Sequence, residues 1–323
     1  MRPPGFWRHG ADGVAARLLA PLGAITQALT ARRVARPGWR APVPVICVGN
    51  ATSGGAGKTT VALDLAARLS ARGVAVHVLS RGHGGISVGP VRVDVGRHSA
   101  AEVGDEPLLL ARVAPTWVAR DRAAGARAAV AAGAGLLLLD DGLQNPTLEK
   151  SLSLLVIDGA SGFGNGRLIP AGPLREPVAA AARRCQAAVL LGEDRTGALA
   201  ALPAALPVLR ARLVPDAAAL ALRGARVVAF AGIAMPEKFF ASLDAVGAQV
   251  LTRQGFPDHH RFYPAELRTL QRQAAAFEAV LATTPKDAVR LPAALRAEVR
   301  VAGVGVAWED AAALEQVLAA SLC

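Results

Sequence analysis

The sequence predicts an α/β protein in which a mostly parallel sheet is covered by helices. Three observations carry this. Short apolar runs recur, each ending in a polar or glycine-rich cluster. Alanine-rich, helix-forming stretches separate them. The pattern then restarts after a break near residues 203–224. Strands buried on both faces read as continuous apolar runs, and helical crossovers between such strands make a sheet parallel. At 323 residues the chain is long enough for two domains. A hydrophobic content of 52% excludes wholesale disorder.

The first element is a helix. Val14, Leu18, Leu22, Ile25 and Leu29 recur at helical spacing and form one stripe. Pro21 is expected to kink or restart it. Phe6 and Trp7 precede the stripe, and Arg17, Arg32 and Arg33 flank it. Such an amphipathic segment lies either against a core or on a membrane surface. The uncharged stretch Leu18 to Ala31 falls short of the roughly 20 apolar residues of a spanning helix, so no bilayer crossing is expected. A secretory cleavage pattern is also missing.

Next come a strand at Val43–Val48, a glycine-rich loop and a helix at Thr59–Ala71. Further strands are expected at Val74–Leu79, Leu136–Leu139, Leu152–Ile157 and Ala188–Leu191, with a helix at Leu108–Val113. The second series begins at Arg226–Phe230 and continues through Gln249–Thr252, Val280–Thr283 and Val301–Val306. A boundary near residue 215 divides the chain into an N-terminal helical segment (1–35), a larger α/β unit (36–215) and a smaller C-terminal α/β unit (216–323). Ligands of open parallel sheets bind beyond the carboxyl ends of the strands. The polar clusters at 49–60, 80–84, 140–145 and 158–176 all follow strands and are expected to converge there.

The formal charge is +11, and of 36 basic residues only Lys58, Lys150, Lys238 and Lys286 are lysine. Much of the arginine excess is compositional, but residues 1–40 hold seven arginines against one acid, Asp12. A basic, apolar N-terminus suggests an anionic membrane surface or substrate. Aromatic residues make up 4%, with no aromatic-interleaved basic stripe, which argues against nucleic acid. Cys47, Cys185 and Cys323 are far apart and form no C-x-x-C, which argues against a disulfide scaffold or zinc site.

The sharpest local signal is Gly54-Gly55-Ala56-Gly57-Lys58-Thr59 between a strand and a helix. Glycines free backbone N–H groups to face a phosphate. The helix N-terminus adds its dipole, Lys58 reaches the terminal phosphates, and Thr59 can hold Mg²⁺. Thr52 stands where the strict phosphate-loop pattern has glycine. The fold expected is therefore a P-loop NTPase-like α/β/α domain plus a smaller C-terminal α/β/α domain. Asp140-Asp141, at a strand end, suits the acidic partner of Mg²⁺. Asp105 and Glu106 add two carboxylates, although a proline after them equally fits a helix start. In Thr284-Pro285-Lys286-Asp287 lysine and aspartate are adjacent, which fails the guanine-reading spacing and favours ATP over GTP.

Taken in order, these strings resemble the tetraacyldisaccharide 4′-kinases, the lipid A 4′-kinases of Gram-negative bacteria. The resemblance runs nearly end to end. It rests on Val48-Gly49-Asn50 with the phosphate loop, Ser80-Arg81-Gly82-His83-Gly84, Gly104-Asp105-Glu106-Pro107 and Asp140-Asp141-Gly142-Leu143-Gln144. It continues through Gly164-Asn165-Gly166, Pro170-Ala171-Gly172-Pro173-Leu174-Arg175-Glu176, Phe230-Ala231-Gly232-Ile233-Ala234, Phe256-Pro257-Asp258-His259-His260 and Thr283-Thr284-Pro285-Lys286-Asp287-Ala288-Val289. The family tolerates a residue other than glycine at position 52. It often has tyrosine at position 83, histidine at 145, glutamate at 285 and proline at 60, where this chain has His83, Asn145, Pro285 and Thr60.

The resemblance implies transfer of the ATP γ-phosphate to the 4′-hydroxyl of tetraacyldisaccharide 1-phosphate, giving lipid IVA. It implies two α/β/α domains joined by a short β-ribbon, and a peripheral enzyme on the cytoplasmic face of the inner membrane, with no obligate protein partner. It assigns Asp105 as the base, assisted by His259, with Lys58 on the phosphates. Thr52, Ser53, Gly54, Gly55, Ala56, Gly57, Lys58, Thr59, Thr60, Gln144 and Arg175 are expected around the nucleotide. Thr59, Glu106, Asp140, Asp141 and Glu176 are expected around Mg²⁺. Arg81, Arg120 and Arg122 are further candidates for a phosphate or the lipid headgroup. Two other readings stay open on residues alone: a metallochaperone- or partitioning-type ATPase, and a nucleotide-gated membrane adaptor without a base.

Overall fold

The computed structural model describes residues 4–11 and 13–320. Arg2, Asp12 and Cys323, counted above, lie outside the described residues.

The N-terminal helix α1 (Val14–Val34) runs through Pro21 without a break. The apolar stripe faces outward: Leu18 is 74% exposed and Ile25 57%. The docked face is made of small residues, with Ala16, Gly23 and Thr30 buried. Gly23 allows a close approach there, since a Cβ at that position would come within 3.2 Å of Leu168 Cβ. Thr26 Oγ1 donates to Ile169 O at 2.7 Å. Trp7 Nε1 donates to Pro170 O at 3.0 Å, and Asn165 Nδ2 to Phe6 O at 2.8 Å. Small, hydrogen-bonding residues thus hold α1 to the body and leave its aliphatic face uncovered. At 21 residues α1 is long and apolar enough to cross a bilayer by length and composition alone. The helix extends beyond the uncharged stretch Leu18 to Ala31 at both ends and takes in Arg17, Arg32 and Arg33.

The large sheet has nine strands in the order β13-β8-β7-β6-β1-β5-β2-β4-β3. These are β1 (Val45–Gly49), β2 (Val76–Ser80), β3 (Val91–Arg92), β4 (Thr116–Val118), β5 (Leu136–Asp140), β6 (Leu152–Asp158), β7 (Ala187–Leu191) and β8 (Val208–Pro215). The second unit contributes β9 (Arg226–Ala231), β10 (Gln249–Gly255), β11 (Val280–Thr283) and β12 (Arg300–Val301), followed by β13 (Val304–Trp308). The two edge pairs, β3–β4 and β8–β13, are antiparallel and the other pairs are parallel.

Side chains alternate across the sheet with period two. Ile46, Val48, Leu136 and Leu138 pack on one face with Val61, Leu65 and Leu69 of α2 (Lys58–Ala71). Val45, Cys47, Leu137 and Leu139 pack on the other. There they meet Ala126 and Ala129, on a helix spanning Arg122–Ala131. Two short helices, α3 (Ala100–Val103) and α4 (Asp105–Leu110), lie between β3 and β4. The Arg122–Ala131 helix is α5.

A four-stranded parallel sheet, β10-β9-β11-β12, organises the second unit. Val227, Ala229 and Ala231 face one core and Val228 and Phe230 the other. The chain leaves the large sheet through β8 and also returns to it. β13 pairs antiparallel with β8, Val304 opposite Pro215, and Leu314 and Leu318 of the last helix join the large core. The apolar run expected over Val301–Val306 is therefore divided: Arg300–Val301 pairs in the small sheet and Val304–Trp308 in the large one. Strand pairing thus ends the small unit before residue 304, in place of residue 323. The β8–β13 ribbon is the two-stranded connection between the units.

Candidate active site

The loop from Asn50 to Gly57 joins the carboxyl end of β1 to α2. Gly57 takes φ +81°, and a Cβ there would meet Leu191 Cδ1 at 2.4 Å, so both the turn and the close approach require glycine. Ser53, Gly54 and Gly55 are exposed, Ala56 is buried, and Thr52 and Thr60 are half-buried. The segment 167–175 braces the loop: Ser53 N donates to Pro173 O at 2.7 Å and Arg175 N to Ala51 O at 2.7 Å. Asn50, absent from the expected site, is central. Its Oδ1 accepts from Lys58 Nζ at 3.1 Å, and its Nδ2 donates to Thr52 Oγ1 at 3.0 Å. Its place immediately after an apolar strand and before the glycine loop was the available signal.

The carboxylates at the end of β5 divide into two environments. Thr59 Oγ1 donates to Asp140 Oδ2 at 3.2 Å, while Asp140 Oδ1 is buried with no hydrogen-bond partner. Burial, followed by the nearby Glu106 and Asp141 carboxylates, pushes Asp140 up to about 7 against Lys58 and Thr59. Burial works on Asp141 in the same sense, but Lys58 and Arg175 outweigh it and hold its carboxyl below the usual range. Lys58 Nζ is 3.7 Å from Asp141 Oδ1, and Arg175 Nη1 donates to both Asp141 oxygens at 2.8 and 3.0 Å.

Gln144 is buried and bridges two segments, donating to Asn50 O at 2.8 Å and to Glu176 Oε1 at 2.9 Å. Glu176, expected near Mg²⁺, is paired in this structure with Arg184, whose Nη2 donates to both of its oxygens at 2.7 and 2.8 Å behind Gln144. Among the described residues no group of three His, Cys, Asp or Glu is placed to enclose a metal.

The second unit reaches this edge through the turn that carries His259 and the short helix Pro285–Ala288 that carries Lys286. Gly104, at φ +90°, turns the chain into α4 against His83 O, which a Cβ would approach to 2.6 Å. Asp105 follows, buried, and His259 Nδ1 lies 2.8 Å from its Oδ2. The other ring nitrogen, Nε2, is 3.4 Å from Lys286 Nζ. Lys286 also stands 3.8 Å from Glu106 Oε1 and 3.8 Å from Asp258 Oδ1. Lys286 belongs to one of the strings that carry the resemblance, and the structure places it beside His259, Glu106 and Asp258. The His83 ring packs edge-on to His259, 5.9 Å between centroids.

His260 points away and pairs with Glu266 at 2.9 Å while stacking on Phe256. Of the three other arginines, Arg81 and Arg120 are exposed. Arg122 is buried, donates to Ala119 O, and carries an Nε with no partner. Burial and then Arg81 push its guanidinium down to about 10. Asn145, at a position where the resemblance marks a departure, accepts from Thr147 within its own loop.

The arrangement is thus an anion cradle with a lysine at a helix N-terminus, a protonatable carboxylate beside a hydroxyl, and a carboxylate–histidine pair arriving from two units. Comparison with known proteins gives the family. Residues 15–323 match the family model described as tetraacyldisaccharide-1-P 4′-kinase. A tetraacyldisaccharide 4′-kinase of Gluconacetobacter diazotrophicus is 62% identical over 318 residues, 98% of this chain and 97% of the relative. Another from Rhodospirillum centenum is 59% identical over 326 residues, covering 99% and 96%. The crystal structure of LpxK from Aquifex aeolicus in complex with ATP superposes with a TM-score of 0.76 at 27% identity, over 95% of this chain and 99% of that one.

Proposed function

The chain belongs to the tetraacyldisaccharide 4′-kinase family, and from that premise we propose how its own residues carry out the reaction. It is an ATP-dependent kinase of lipid A biosynthesis, and the acceptor is the 4′-hydroxyl of tetraacyldisaccharide 1-phosphate. The observation that carries the residue assignment is the Asp105–His259 contact, made across two units beside the phosphate loop.

Phosphoryl transfer depends mainly on positioning and charge neutralisation. Lys58, held by Asn50 and Asp141, turns toward the β- and γ-phosphates, and the amides from Gly54 to Thr59 cradle them. Arg175, bidentate on Asp141, adds a second cation at the same edge. A sugar hydroxyl attacks well only when its proton has an acceptor. Asp105 supplies it, with Oδ2 engaged by His259 at 2.8 Å. His259 orients the carboxylate and shares the proton. Because base and assistant sit on different units, the pair depends on how those units are held together, and the structure holds them in contact. An adaptor that only senses nucleotide has no use for such a pair.

Mg²⁺ fits the residues present. A hard cation takes carboxylate and hydroxyl oxygens and shares its remaining sites with phosphate and water. Asp140 Oδ1 is a buried oxygen without a partner, beside the Thr59 hydroxyl and near Glu106. Thr59, Asp140 and Glu106 would hold the ion, with Asp141 joining once Arg175 turns to the nucleotide. Bound there, Mg²⁺ neutralises phosphate charge.

The outward stripe of α1 supports a peripheral place on the cytoplasmic face of the inner membrane. Burying an exposed aliphatic side chain gains about 1.5–3 kcal/mol, and each arginine near an anionic leaflet adds about 1 kcal/mol. Val14, Leu18, Leu22, Ile25 and Leu29, with Arg32 and Arg33 at the helix end, suffice for reversible binding. The hydrogen bonds from Thr26 and Trp7 to the kinase body favour a helix lying on the surface over one spanning the bilayer.

The test is purified protein with γ-labelled ATP and tetraacyldisaccharide 1-phosphate. Label at the 4′ position is expected. Label released only as free phosphate refutes the reading.

A further inference from the structure

Arg290 is a buried guanidinium, its side chain 6% exposed, and it stands directly behind the Asp105–His259 pair. Nη1 donates to His260 O at 2.9 Å, and Nη2 donates to Gly232 O at 3.0 Å and Asp287 Oδ1 at 2.8 Å. Nε donates to Lys286 O at 3.2 Å and lies 3.3 Å from Asp105 Oδ2.

Those acceptors surround one strained residue. His259 takes φ +58°, a left-handed conformation that a non-glycine residue holds only when its surroundings fix it. Its own N–H is tied to Gly232 O at 3.1 Å, the same carbonyl that Arg290 grips, and the next carbonyl, His260 O, is gripped as well. Asp287 completes the clamp, accepting from Gly232 N at 2.9 Å. One guanidinium therefore fixes the backbone on both sides of His259 and also touches the carboxylate that His259 faces.

We infer that Arg290 is a positioning residue for phosphoryl transfer: it holds His259 in its left-handed conformation and sets Asp105 Oδ2 against the ring. The inference rests on the reading of Asp105 and His259 as the proton-accepting pair. A planar guanidinium suits the task because it serves several acceptors in fixed directions, which an ammonium does not.

The test is a double-mutant cycle on kcat at saturating ATP and acceptor, using Arg290→Gln, His259→Ala and the double variant, with ATP affinity measured separately by nucleotide binding. Arg290→Gln is expected to lower kcat about 10- to 100-fold, a part of the general-base contribution of about 10²–10⁴. ATP affinity is expected to stay unchanged, and most of the loss to disappear in the His259→Ala background. Unchanged kcat, an equal loss in both backgrounds, or an equal loss in ATP affinity overturns it. If Arg290→Gln does not fold, Arg290→Lys is measured the same way, with a smaller loss and the same non-additivity expected. If His259→Ala alone leaves kcat intact, the pair reading fails, and the inference fails with it.

Discussion

His259 Nδ1 stands 2.8 Å from Asp105 Oδ2, 154 residues away in sequence and on the other unit of the fold. The contact makes the histidine dependent on how the two units sit. His259→Gln is expected to lower kcat at least tenfold, on the order of a partial general-base loss, with the KM for ATP little changed. Combined with Asp105→Ala it should add little further loss, because residues acting as a unit are not additive. Independent, additive effects in steady-state kinetics would separate the two roles.

Lys58 is one of four lysines in a chain of 323 residues and sits buried at the first position of α2. Lys58→Ala removes the point charge from the phosphate loop and frees Asn50 and Asp141. Transfer is expected to fall by more than about 100-fold, with the melting temperature retained. Full residual activity would remove the loop from the mechanism.

Asp140 predicts a pH dependence of stability. Its carboxyl is raised from 3.8 to about 7 in the folded chain, first by burial. The folded state therefore keeps a proton that the unfolded state has lost between those values. The stabilisation is present at low pH and declines as pH rises through about 7. Metal-free Asp140→Asn, which cannot ionise, should show a flatter decline of melting temperature from pH 6 to pH 8 than the parent. Mg²⁺ at pH 8 should stabilise the parent and leave the variant unmoved. Equal slopes and equal Mg²⁺ responses would place the ion elsewhere.

The α1 stripe predicts a separable membrane defect. Leu18→Gln with Ile25→Gln changes only outward-facing side chains and leaves the Thr26 and Trp7 anchors in place. The partition coefficient onto anionic vesicles, read by sedimentation, is expected to drop by about 100-fold or more if both aliphatic side chains are fully buried there, at about 1.5–3 kcal/mol each. Activity on detergent-dispersed acceptor should stay near parental. Unchanged sedimentation would assign the stripe to another partner.

Much of the large sheet was legible because its central strands are buried on both faces, so Leu136–Leu139 and Val45–Val48 appear as plain apolar runs. β8 was not. It alternates, with Leu209 and Ala211 buried and Arg210 and Arg212 exposed, and it lies among prolines that read as a break. The return of Val304–Trp308 was hidden for a different reason. A strand's sequence records that it is half-buried, not which of two sheets covers it. α1 shows the same limit, since an apolar stripe at helical spacing does not say whether it faces core or exterior. The phosphate loop and the carboxylates were legible from local motifs. Lys286 and Arg290 were not, because their roles come from contacts across the fold.

The most direct test of the account is single-turnover transfer from γ-labelled ATP to tetraacyldisaccharide 1-phosphate by the parent and by Asp105→Ala, with ATP affinity measured on both. The predicted result is label at the 4′ position for the parent, and for the variant a rate lower by about 10²–10⁴-fold at unchanged ATP affinity. A variant that transfers at the parental rate, or that loses ATP affinity in proportion to rate, would contradict Asp105 as the proton acceptor.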